Sequence, residues 1–139
     1  MFVQSREDVR WFFGEVYRKS SRGESLEPLE QLIAQVIQMH PEYHGLLESE
    51  QLVYLDFVQQ GGASNPFLHM SLHLALAEQV ASDRPAGIAQ IYRNLVVTGL
   101  DSHDVEHDMM DCLEKMLWQA QHSQSPADEP AYLECLRRL

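Results

Sequence analysis

Cysteine is scarce in this chain: of its 139 residues only Cys112 and Cys135 carry sulfur as a thiol. Two thiols that form no Cys-x-x-Cys word favour reduced core residues over the alternatives, a disulfide or a thiolate metal site. Each falls inside an apolar helical pattern, so both are read as reduced core residues. Positive charge is scarce as well. Ten Lys and Arg against twenty-one Asp and Glu leave a formal net charge of -11, the wrong sign for neutralising a phosphate backbone, which excludes nucleic acid as the expected partner. Long apolar runs are missing: no stretch approaches the ~18 uninterrupted apolar residues of a membrane span. The opening residues Met1-Phe2-Val3-Gln4-Ser5-Arg6-Glu7-Asp8 meet charge at once and lack the apolar run of a secretory signal. These absences together lead us to expect a cytoplasmic protein that does not engage a membrane.

Histidine, by contrast, is arranged with unusual order. Six of the seven histidines fall into pairs spaced four apart, His40/His44, His69/His73 and His103/His107, whereas random placement would give only ~0.3 such pairs. Residues four apart lie one above the other on a helix face, so each pair can aim two imidazoles at one point. Glu106 sits inside the last pair.

Placing those pairs requires the helices. Ser5 and Asp8 open a first amphipathic helix carrying Val9, Phe12, Phe13 and Val16 at the helical period. After Gly23, the stripe Leu29, Leu32, Ile33, Val36 and Ile37 marks a second, with His40 on its continuation. Pro41 pushes His40 out of the helical region and suits the first turn of a short helix holding Tyr43, His44 and Leu47. Residues 51–58 read equally as a short helix or a strand, and 61–64 as a loop. Asn65-Pro66 is an N-cap followed by proline, opening a helix apolar on all sides that carries His69 and His73. A further helix fills 85–98 and stops at Gly99. Asp101 or Ser102 then caps the longest helix, which buries Met109, Met110, Leu113, Met116, Leu117 and Ala120 and presents His103, Glu106 and His107 at its start. A linker over 123–130 leads to a short last helix with Tyr132, Leu133 and Leu136. The expectation is a single all-α domain over 1–139, a helical bundle of five to seven helices.

Neutral imidazole is the commonest protein metal ligand, and helices of a bundle can supply ligands from facing elements. The core of the expected site is His69, His73, His103 and His107, with Glu106 as a ligand or proton acceptor and His40 and His44 at its edge. Glu42 and Glu48 flank His44 and are weaker candidates. Iron, zinc and manganese all accept imidazole and carboxylate, so metal-activated water or dioxygen chemistry is the reaction class to test. Structural roles compete residue by residue. The methionines fit a core, Asp101 and Asp104 fit a cap and the helix dipole, and His122 fits an exposed helix end. The histidines themselves could order a buried polar network without metal in a non-enzymatic interaction or regulatory protein.

The words His40-Pro41-Glu42-Tyr43-His44, Asn65-Pro66-Phe67-Leu68-His69-Met70 with Leu72-His73, Arg84-Pro85-Ala86-Gly87-Ile88, and Glu106-His107 with Met110, Cys112 and Leu113 resemble an uncharacterised proteobacterial family, the domain of unknown function DUF1841. The resemblance covers nearly the whole chain and implies a small, all-helical, cytoplasmic bacterial protein with no assigned activity. A looser likeness is to hemerythrin-type metal bundles, whose ligand spacings are matched by His44 with Glu48, His69 with His73, and His103 with Asp108. The chain departs from that pattern in its first helix, which carries no histidine, and in the added helix over 85–98.

Overall fold

Capping side chains mark several of the helix starts: Asn65, Asp101 and Asp128 each accept a backbone N–H there. The computed structural model describes residues 6–49, 65–99 and 101–139, and its regular secondary structure over these residues is entirely helical. In chain order the elements are α1 (Arg6–Ser21), α2 (Pro28–Gln38), a 3-10 turn (Pro41–Tyr43), α3 (His44–Leu47), α4 (Pro66–Ser82), α5 (Ile88–Val97), α6 (Ser102–Ser123) and α7 (Glu129–Arg137). Seven α-helices over the described residues agree with the all-α expectation. The helix-or-strand segment 51–58, the loop 61–64 and the Ser5 helix start lie outside the described residues. None of the helices described is long and apolar enough to cross a membrane.

The chain gathers into two compact units, Met1–Ser71 and Leu72–Leu139, with the division inside α4. In the first unit, Pro28 stands at the start of α2 and Glu30 Oε1 accepts the Glu27 N–H at 2.9 Å, which satisfies a donor that a helix start leaves open. Ile33, Val36 and Ile37 are buried with Phe13 and Val16 of α1 and Leu47 of α3. The apolar stripe of α2 is narrower than its sequence suggests: Leu29 and Leu32, each 39% exposed, lie outside it. Arg10 is buried and sets its guanidinium 5.2 Å from the centre of the Phe67 ring, a cation–π contact that covers its charge with an aromatic face.

The second unit is built around α6. Asp101 Oδ1 accepts the His103 N–H at 2.8 Å, so Asp101, and not Ser102, caps that helix. Leu72 and Leu76 of α4, Ile88 of α5, Val105, Met109, Met110 and Leu113 of α6, and Tyr132 and Leu136 of α7 form one buried cluster. Leu117 is 47% exposed, so the inner face of α6 ends earlier than the sequence pattern does. α5 begins at Ile88 rather than Pro85 because Asp83 Oδ1 accepts the N–H groups of both Gly87 and Ala89 at 3.1 Å and takes the role of a remote cap.

One sequence expectation is overturned here. Cys112 of α6 and Cys135 of α7 are joined as a disulfide with a Cα–Cα distance of 5.9 Å, and neither is a free thiol. Apolar spacing placed Cys112 correctly in the core, where it is 3% exposed. It carried no information about a partner on another helix 23 residues away.

Candidate metal centre

In the second unit α4 and α6 bring three imidazoles together. His73 of α4 is buried, and its Nε2 lies 3.1 Å from Nε2 of His107. His103, one turn before His107 on α6, has its ring centre 4.2 Å from that of His107 and 5.1 Å from that of His73. One ring nitrogen from each of the three lies within 4.8 Å of the others. This cluster can hold a metal ion. Two nitrogens bound at tetrahedral angles to a zinc ion ~2.05 Å away stand roughly 3.3 Å apart, close to the spacing of the His73 and His107 nitrogens. The same spacing suits an N–H···N hydrogen bond between neutral rings, in which one ring donates and the other accepts.

Glu106 stands behind His73 rather than beside its Nε2. Its Oε2 is 3.8 Å from His73 Nδ1, on the opposite edge of the ring from the nitrogen that faces His107. Partial burial, and then the nearby Asp101 carboxylate, push the Glu106 carboxyl above the usual carboxylate range. Tyr92 of α5 is raised in turn by burial and by Glu106. Asp108, the aspartate of the hemerythrin-like spacing, is exposed.

His40, His44 and His69 belong to the first unit. His40 is buried, and its Nδ1–H donates to the Val36 carbonyl at 2.8 Å. A carbonyl can only accept, so His40 Nδ1 carries a proton in this bond and Nε2 is its other ring nitrogen. That nitrogen lies 3.1 Å from Nε2 of His69, with the rings edge to face. Tyr43 stacks on His40 at 5.2 Å and 7°. Sequence reasoning gave Tyr43 no role beyond the short helix, although it sits inside the His-Pro-Glu-Tyr-His word. His44 donates from Nε2 to the Ile37 carbonyl at 3.0 Å and lies against the Tyr17 ring. Tyr17 donates to Glu48 at 2.8 Å, and that bond to a carboxylate raises its pKa. Glu42 is exposed. His122 is exposed at the end of α6, bonded to the Trp118 carbonyl and stacked on the Trp118 ring.

Helix spacing thus set which histidines share a face, and tertiary packing set which nitrogens meet. The near contacts join different elements: His40 with His69, and His73 with His107. No curated protein and no solved structure matches the chain. The model of one family does match, over residues 5–138 and therefore across every element described, and by it the chain belongs to the Domain of unknown function (DUF1841) family.

Proposed function

We propose that this protein binds a single transition-metal ion on His73, His103 and His107, with Glu106 orienting His73. The observation that carries the reading is the 3.1 Å approach of two Nε2 atoms, one of them on a buried ring whose other nitrogen faces a carboxylate. Metal-bound histidines characteristically direct their second ring nitrogen at a carboxylate or carbonyl, which fixes the tautomer and raises the basicity of the ligand. Glu106 Oε2 faces His73 Nδ1 at 3.8 Å, beyond hydrogen-bond distance, and would have to close that gap to take the role. Three imidazoles leave the fourth tetrahedral position to a further donor or to water, and a bound metal would contribute Lewis acidity there. Imidazole donors favour zinc or iron over manganese, which prefers oxygen. Metal-activated water or dioxygen chemistry is the reaction class that follows.

A second reading rests on the same distance. Neutral imidazoles at 3.1 Å also form a hydrogen-bonded network, which would specify core packing in a non-enzymatic interaction or regulatory protein. Elemental analysis of protein purified without an affinity tag separates the two. We expect one equivalent of zinc or iron per chain, removed by chelation and restored by titration to the same stoichiometry. Folded, metal-free protein that takes up neither ion tightly would establish the network and remove the metal centre.

Glu106→Gln supplies a finer test. Loss of an outer carboxylate costs ~10–100-fold in metal affinity, so zinc titration should show a fall in that range. In the metal-free protein the effect has the opposite sign. A carboxyl whose folded pKa is raised binds its proton more tightly in the folded state than in the unfolded one. Its ionisation therefore opposes folding: the penalty is absent below the ordinary carboxylate pKa, grows as pH rises through the raised value, and is complete above it. Urea midpoints of metal-free Glu106→Gln should equal or exceed those of the wild type at neutral pH, and should not show that decline. Zinc affinity unchanged by the substitution would exclude the orienting role.

A further inference from the structure

We infer that the Cys112–Cys135 disulfide is a thiol-exchange site, open to low-molecular-weight thiols through a cleft on the second unit, with Cys135 as the sulfur that takes the incoming thiol. The inference is independent of metal binding. The cleft has a volume of about 390 Å³, and both cysteines line it together with Lys115, Gln119, Tyr132 and Arg138. The two cysteine residues differ in exposure. Cys112 belongs to the buried cluster at 3% exposure, whereas Cys135 is only partly buried and packs at the edge of that cluster.

Thiol–disulfide exchange proceeds by attack of a thiolate on one sulfur with the other leaving, so access decides which sulfur is attacked. Lys115 and Arg138 line the cleft, Arg138 paired with Glu134; a cation that approaches the sulfurs favours the thiolate form. The acidic neighbours have structural tasks: Asp128 Oδ1 accepts the Ala131 N–H at the start of α7, and Glu134 pairs with Arg138.

In the proposed step the incoming thiolate forms a bond to Cys135 Sγ and the Cys112–Cys135 bond breaks. Its electron pair passes to Cys112 Sγ, which takes a proton from solvent. The product is a mixed disulfide on Cys135 and a thiol at Cys112, with no external oxidant. A second thiol completes reduction by attacking the small-molecule sulfur, which leaves Cys135 as a thiol and releases the small-molecule disulfide. α7 then remains attached through its buried Tyr132 and Leu136 and the 2.6 Å bond from Tyr132 to Gln79.

The test uses the intact oxidised protein and 2-mercaptoethanol under native conditions, with acid quenching and peptide mapping by mass spectrometry. The adduct is expected on Cys135 and a free thiol on Cys112, with Cys135 favoured by at least ~10-fold, an access difference that should vanish in guanidinium, where both sulfurs are equally reachable. An adduct mainly on Cys112, or an equal division between the two under native conditions, would overturn the assignment of Cys135. Reaction seen only after global unfolding would overturn access through the cleft.

Discussion

Replacing His73 and His107 together by alanine is expected to abolish stoichiometric metal binding while leaving the protein helical. Each replacement removes one of the two nitrogens that approach to 3.1 Å. Loss of a direct ligand should exceed the ~10–100-fold cost of losing an outer-shell partner, so each single variant should already bind zinc more than ~100-fold more weakly. His122→Ala is the matched control. It removes an imidazole from the same helix, but an exposed one engaged with Trp118, and should leave zinc affinity unchanged. Calorimetric titration gives affinity and stoichiometry, and far-ultraviolet circular dichroism reports the helices.

Stability separates the metal centre from the hydrogen-bonded network. Under metal binding, zinc at one hundred times its Kd should stabilise the wild type by about 2.7 kcal/mol and the double variant not at all. Under the network reading, zinc would stabilise neither. The substitutions would then cost ~1–3 kcal/mol through the polar groups they leave unsatisfied. Zinc affinity that survives both substitutions would place any metal elsewhere.

The histidines show where sequence stops being informative. Their spacing put His69 and His73 on one helix and His103 and His107 on another, and α4 and α6 carry them so. An i, i+4 spacing describes one cylinder. It says nothing of rotation about the axis relative to a neighbour, so the approach of His73 to His107, and of His40 to His69, had to come from packing. Capping was legible for the opposite reason, since it is local chemistry. Asn65 Oδ1 accepts the Phe67 N–H at 2.9 Å just where Asn-Pro announced a helix. Leu29, Leu32 and Leu117 failed because periodicity marks a face of the helix but not how far along it the covering partner extends. Pro41 was read correctly as a break: α2 ends at Gln38 and Pro41 opens a separate 3-10 turn, with His40 between them set against Val36 and Tyr43.

Reducing the Cys112–Cys135 disulfide is expected to lower stability by about 3 kcal/mol, the loop-entropy value for a closure of 23 residues. The entropy gained on opening the loop belongs to the unfolded chain. The folded second unit keeps its contacts, since α7 still buries Tyr132 and Leu136. For a domain of this size the loss corresponds to a fall in Tm on the order of 10 °C. Reduction is a cleaner experiment than substitution because it leaves both sulfur atoms in place. Cys112→Ala/Cys135→Ala should lose at least as much, the excess over reduction measuring the cavity left where buried Cys112 packs in the α6 core. The denaturant slope provides an internal check. Freed of its crosslink, the unfolded chain expands and exposes more surface, so the m-value should rise on reduction along with the fall in midpoint. Equal midpoints and slopes for oxidised and reduced protein would show that the crosslink contributes nothing to stability, and that packing alone holds α7 to α6.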